Sequence, residues 1–279
     1  MEIIVNKIAK EYRLPEALRG TILEKIMDAK IPEIAASRRV ISADDIETAL
    51  VDAPPIRSFK GALTQMSRNV PAVIAEIKRA SPSAGLIRED FSPLKIAESY
   101  QSAGAAALSI LTEVRYFQGG LDILTAVRER TPLPVLRKDF IVDPYQIIEA
   151  RRAGADAVLL IAALLDAASL KMLREEAERL GMDALVEVHS EDELGRALDA
   201  GAGLIGVNNR DLRAFTVDLN IALNLVRLMP NDITAVAESG IKTAEDLRRL
   251  YDAGYRGFLV GERLMRASDP GAALAELLR

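Results

Sequence analysis

Ala72-Val-Ile-Ala-Glu-Ile-Lys78 is an apolar run that stops on a residue able to do chemistry, and this pattern recurs along the chain. Ala107-Leu-Ser-Ile-Leu-Thr runs to Glu113, Val135-Leu-Arg to Lys138, Ala184-Leu-Val to Glu187, Leu204-Ile-Gly-Val to Asn208 and Ala235-Val-Ala to Glu238. Phe258-Leu-Val ends at Gly261 instead, and Ala157-Val-Leu-Leu-Ile161 carries no polar end. Successive ends lie 21 to 35 residues apart, which leaves room for one helix and two short loops. That spacing predicts alternating strand and helix.

The runs are rich in Val, Ile, Leu and Ala and do not alternate with period two, as strands covered on both faces should read. Helix punctuation falls between them. Ser92-Pro93 and Asp143-Pro144 place a cap residue before a first-turn proline, and Ser190-x-x-Glu193 and Thr243-x-x-Asp246 have capping-box spacing. Ala103-Gly104, Ala153-Gly154, Ala200-Gly201 and Ala253-Gly254 each close a helix before the next run, so a unit of helix, Ala-Gly and strand recurs. No Gly-rich fingerprint follows the first run, which favours a closed (β/α)8 barrel over an open doubly wound sheet. In such a barrel the strand C-termini form the active-site face, so the polar ends converge on one pocket.

Residues 1–52 carry apolar and charged positions at helical spacing with no strand-type run before Val70, and Ala53-Pro54-Pro55 breaks the pattern. The expected organisation is therefore an N-terminal helical extension, 1–52, packed on a catalytic barrel, 53–279, with a short helix over Phe59 to Ser67 leading into the first strand. A chain of 279 residues, 49% hydrophobic, has the material for one such domain.

The formal charge of -5 argues against nucleic acid or an anionic membrane as the main partner. There is no cysteine, which excludes disulfides, thiolate nucleophiles and Cys-based metal sites. One histidine, His189, excludes a multi-histidine metal site. It stands in a loop just before a helix cap and reads as a helix-entry residue outside the chemistry. No apolar stretch approaches the ~20 residues of a membrane span, and Met1 to Leu14 is charged throughout rather than built as a signal peptide. A cytoplasmic protein is the simplest expectation, and a monomer the expectation for assembly.

Two lysines, three glutamates and an asparagine at strand ends can supply an acid, a base and a positioning amide without metal or cofactor. A dry pocket or nearby cations would lower a lysine pKa, and burial would raise a glutamate pKa. Glu238-Ser239-Gly240-Ile241 and Val260-Gly261-Glu262, after the last two strands, stand where barrels commonly bind phosphate.

At Ala75-Glu-Ile-Lys-Arg-Ala-Ser-Pro-Ser83 the chain closely resembles the indole-3-glycerol phosphate synthases. The resemblance continues through Leu111-Thr-Glu-Val-Arg-Tyr-Phe-Gln-Gly119, Leu136-Arg-Lys-Asp-Phe-Ile-Val-Asp-Pro144, Val186-Glu-Val-His189, Gly206-Val-Asn-Asn-Arg-Asp-Leu212, Ala237-Glu-Ser-Gly-Ile241 and Val260-Gly-Glu-Arg-Leu-Met265, in the family's order. It implies a cofactor-free carbon-carbon lyase of tryptophan biosynthesis. The substrate it implies is 1-(2-carboxyphenylamino)-1-deoxyribulose 5-phosphate, which closes a ring and loses carbon dioxide and water to give indole-3-glycerol phosphate.

By motif position the resemblance casts Lys138 as general acid on the ribulose carbonyl and Glu187 as base in dehydration, with Glu113 and Asn208 assisting. It places Glu76, Lys78, Ser81, Arg115, Arg210, Glu238 and Ser239 against substrate, with Arg210 on its carboxylate. Phosphate falls to Gly240, Gly261 and Glu262. Two positions depart from the family pattern: Arg115 stands where lysine is frequent, and Gly120 where serine is usual. Two other readings stay open on residues alone, a Schiff-base aldolase using Lys138 and a barrel that binds a sugar phosphate without turnover.

Overall fold

The computed structural model describes residues 12–65, 71–211 and 215–279. Eight parallel strands close into a barrel: β1 (Ala72–Ile77), β2 (Ala107–Leu111), β3 (Val135–Lys138), β4 (Ala157–Ile161), β5 (Asp183–Val188), β6 (Leu204–Asn208), β7 (Thr234–Glu238) and β8 (Gly257–Val260). Each strand pairs with its neighbours in sequence, and β1 closes the ring by pairing with β8 through Ala72↔Gly257 to Ala75↔Val260. Nearly every strand residue is buried, which explains the unbroken apolar runs: the barrel interior covers one face and the helices the other.

The outer layer follows the punctuation read from the sequence. Helices α4 (Pro93–Ser102), α5 (Leu121–Arg130), α6 (Pro144–Arg152), α7 (Ala167–Arg179), α8 (Glu191–Asp199), α9 (Asn220–Leu225) and α10 (Ala244–Ala253) connect successive strands, and α11 (Glu262–Arg266) and α12 (Pro270–Leu277) end the chain. Asp143 caps α6 by accepting the Tyr145 N–H, and Thr243 with Asp246 forms a complete capping box on α10. At α8 only half the box forms. Ser190 accepts the Glu193 N–H, but the Glu193 carboxylate takes the N–H of His189 instead of that of Ser190. Gly104, Gly154, Gly201 and Gly254 leave their helices with φ between 78° and 123°, the left-handed turn that glycine makes without a Cβ penalty.

Before the barrel run α1 (Ile22–Val40), α2 (Ala43–Thr48) and α3 (Phe59–Gln65). Residues 1–11 of the expected extension, and 66–67 of the expected helix over Phe59 to Ser67, lie outside the described residues, as does Leu212 at the end of the motif that starts at Gly206. Helix α1 lays Leu23, Ile26, Met27, Lys30 and Ile34 inward at helical spacing and packs on α6. Its Lys30 ammonium, 1% exposed, lies 3.0 Å from Asp139 Oδ1 and 2.9 Å from Glu33. Arg38, near its end, pairs with Asp143. The extension is thereby tied to the loop that leaves β3, next to Lys138.

Candidate active site

At the C-terminal ends of the strands lies a cavity of about 680 Å³. Lys138 stands at its base, the last residue of β3. Its Nζ donates to Glu238 Oε2 at 2.6 Å and to Glu187 Oε2 at 3.0 Å, so one ammonium bridges carboxylates from β7 and β5. Asn208, from β6 between them, donates Nδ2 to Glu187 Oε1 at 3.2 Å and accepts the Arg210 N–H on its own oxygen. Just past the end of β1, Lys78 donates Nζ to Glu76 Oε1 at 2.5 Å.

Two glycines make room for these carboxylates. A Cβ on Gly206 of β6 would stand 3.2 Å from Glu238 Cδ, and one on Gly261 would stand 2.9 Å from Glu76 Cδ. Gly206 carried no functional reading in the sequence, and Gly261 was read only as a phosphate contact. Another residue that sequence reasoning missed is Asn209. Fully buried, it accepts the Ala222 N–H and donates Nδ2 to the carbonyls of Glu238 and Ser239 at 3.0 and 3.1 Å. It thus holds the turn in which Ser239 (φ 65°) and Gly240 (φ 82°) leave β7 in the left-handed region, costly for serine and free for glycine. The only signal for it was the doubled asparagine in Val-Asn-Asn-Arg.

The charges correct one expectation. Burial works against the Lys138 ammonium, but Glu187, Glu238 and Glu76 outweigh it, so its pKa lies above the ordinary lysine value and not below. For Glu238 burial dominates: it raises the pKa to about 7 against the pull of Lys138, with Glu187 adding to the rise. For Glu187 burial is outweighed by Lys138 and His189, leaving its pKa below the ordinary value. At neutral pH the site therefore holds an ammonium, an ionised glutamate and a second glutamate close to half protonation.

Glu76, Lys78, Ser81, Asn208, Arg210, Ser239, Gly240, Gly261 and Glu262 line the cavity with the Lys138 cluster, whereas Glu113 and Arg115 do not. Glu113 is 1% exposed, and its carboxylate accepts the N–H groups of Arg115, Tyr116 and Phe117 at 3.0, 2.7 and 2.9 Å. It caps the loop after β2, which is a structural use of a strand-end charge. Arg115 is exposed and lies over the Tyr116 ring. Gly120, the other departure, caps α5 and stays off the cavity. Glu262 does line it, but its carboxylate pairs with Arg210 at 3.2 Å and Arg266 at 3.1 Å. A carboxylate accepts and repels an anion, so only the backbone N–H of Glu262 suits phosphate.

The opposite wall is apolar. Leu111, Phe117, Phe140, Leu159 and Ile161 form it, joined by Ile22, Leu23 and Ile26 of α1. The run without a polar end, β4, supplies two of these, and the N-terminal extension supplies three. His189 enters its helix as read, yet it also packs behind Glu187, with Nε2 3.6 Å from Glu187 Oε1.

The family model for indole-3-glycerol phosphate synthase matches residues 23–277. The chain belongs to that family. The indole-3-glycerol phosphate synthase of Laribacter hongkongensis is 52% identical over 258 residues, covering 92% of this chain and 98% of the relative. The enzyme of that name from Albidiferax ferrireducens is 51% identical, over 92% and 97%. Among solved structures, KGPDC from Streptococcus mutans aligns with a TM-score of 0.57 at 15% identity, over 75% of this chain and 96% of that one. At that identity the likeness concerns the barrel alone. As an indole-3-glycerol phosphate synthase family member the chain is a carboxy-lyase, and among the described residues no helix is long and apolar enough to cross a membrane.

Proposed function

We propose that this cavity converts 1-(2-carboxyphenylamino)-1-deoxyribulose 5-phosphate to indole-3-glycerol phosphate with Lys138 as general acid and Glu187 as general base. The observation that carries this reading is the Lys138 ammonium held between Glu187 and Glu238. As the aromatic carbon attacks the ribulose carbonyl, the oxygen becomes an alkoxide, and an ammonium can hand it a proton where a guanidinium cannot. The resulting iminium takes up the electron pair released with carbon dioxide. Glu187, ionised and oriented by Asn208, then accepts the ring proton, while the ammonium of Lys78 on the same cavity wall gives the departing hydroxyl the proton with which it leaves as water. A lysine kept as ammonium is a weak nucleophile, which speaks against the Schiff-base alternative.

The apolar wall fits the carboxyphenyl ring, and Arg210 its carboxylate. Phosphate falls to the turns at Ser239-Gly240 and Gly261-Glu262 through their backbone N–H groups, with Lys78, Glu76 and Ser81 at the ribulose end. Residues 1–52 are read as an extension that completes the apolar wall, on the barrel of 53–279. The test is turnover of the carboxyphenylamino sugar phosphate by purified protein, followed by indole fluorescence. Lys138→Ala and Lys138→Arg should each lose activity by at least about 100-fold. Full activity in either variant rejects the acid role.

A further inference from the structure

The Lys138 and Glu187 ion pair poses a difficulty for the reaction. Lys138 is the chief counter-charge of Glu187, yet the acid step removes that charge: the ammonium gives its proton to the carbonyl oxygen and is left as a neutral amine. Glu187, buried beside Glu238, would then bind a proton before its turn as base comes. A second cation close to Glu187, and outside the chemistry, removes the difficulty.

We propose that His189 is a positioning residue that keeps Glu187 ionised and aimed after Lys138 has given up its proton. Its ring is fixed from behind, because Glu193 Oε2 accepts the backbone N–H at 2.7 Å and lies 3.3 Å from Nδ1. With Nδ1–H directed at Glu193, Nε2 faces Glu187 Oε1 at 3.6 Å, just beyond hydrogen-bond reach and short enough for strong attraction when the ring is charged. Nε2 is buried and has no other hydrogen-bond partner. His189 does not line the cavity, so it acts through Glu187 and not on substrate.

The titratable groups facing the ring are Glu193 on α8, Glu187 near the end of β5 and Glu238 on β7, all carboxylates. The adjoining turn at Ala162–Leu164 packs on both β5 and α8 and brings no ionisable residue. Burial opposes the imidazolium, but these carboxylates outweigh it and hold the pKa above the ordinary histidine value. Catalysis then needs His189 protonated, and the turnover rate falls on the alkaline side as the ring loses its proton.

This proposal rests on the base role given to Glu187, and two measurements separate the two. The first is the pH profile of His189→Asn, whose amide can still donate to Glu193 but cannot carry charge. Its kcat should fall about tenfold with KM little changed, and the alkaline limb of the parent profile should vanish. A fall in kcat with the parent's limb retained, or no change at all, overturns the proposal. The second is NMR titration of His189, the one histidine of the chain, which needs no turnover. Glu187→Gln should lower the His189 pKa, and an unmoved titration overturns the pairing. A parent that forms no indole product, with the titration still shifted, would reject the assigned reaction and keep the pairing.

Discussion

Gly206 on β6 lies directly beneath the carboxylate of Glu238 on the neighbouring strand, so the hydrogen at that one position sets where the Lys138 ion pair can form. Gly206→Ala should push the Glu238 side chain off Lys138. Overpacking of this kind costs about 1–3 kcal/mol. The expected result is a lowered melting temperature with kcat reduced at least about tenfold, measured by thermal melts and turnover, and parental values in both would show that the carboxylate has room to move.

Glu238 also ties stability to pH. Its pKa in the folded protein is about 7, above the ordinary 4.5. Between those values the folded chain holds a proton that the unfolded chain has lost, so stability falls as pH rises through the window. The depressed pKa of Glu187 acts only below 4.5, and the raised pKa of His189 persists in the variant through Glu193 and Glu187, the smaller part lent by Glu238 being lost in the same direction as the effect sought. Glu238→Gln removes the titration, so its stability relative to the parent should rise by roughly 2 kcal/mol between pH 5 and pH 8. Urea melts at the two pH values measure this, and a constant difference would place the Glu238 pKa near its ordinary value.

The barrel was legible because the strands are buried on both faces and their ends are punctuated; Ala253-Gly254 and Thr243-x-x-Asp246 mark a helix before any contact is known. The polar ends of β1, β3, β5, β6 and β7 could be read as a site because parallel strands in a closed barrel bring their C-termini together. Glu113 could not be sorted from the others, since a strand-end carboxylate that caps a loop and one that faces a cavity look alike until the chain's direction after β2 is known. The approach of His189 to Glu187 was hidden for the converse reason: it depends on the ring orientation that Glu193 imposes. The wall supplied by Ile22, Leu23 and Ile26 is a long-range contact, and the helical pattern of α1 says only that one face is covered.

That wall is held by the pair of Lys30 and Asp139. Lys30 lies two turns along α1 from Leu23 and one from Ile26, on the same face. Burial opposes both charges; Asp139 and Glu33 keep Lys30 raised, and Lys30 and Arg137 hold Asp139 at about 2. Lys30→Met leaves Asp139 with one cation, Arg137 at 3.2 Å, beside the hydrogen bonds from the Thr112 hydroxyl and the Phe140 N–H, and should cost about 3 kcal/mol at neutral pH. The depressed Asp139 pKa contributes stability above 3.8 that is lost as pH falls through 2, so the gap to the parent should close at acid pH. A raised KM should accompany the loss as the wall loosens, and substrate saturation curves at neutral pH, below the variant's melting temperature, check it.

Glu113 separates a structural carboxylate from a catalytic one. Its oxygens hold three successive N–H groups of the loop that carries Phe117 into the cavity wall. Glu113→Ala strands those donors at a cost of about 1–3 kcal/mol and lets Phe117 drift. The expected outcome is a lower melting temperature and a raised KM, with kcat reduced less than about tenfold and an unaltered pH profile. A general acid or base at this position would instead lose kcat by at least about 100-fold with KM little changed. Steady-state kinetics on the folded variant distinguishes the two, and the second pattern would return Glu113 to the chemistry.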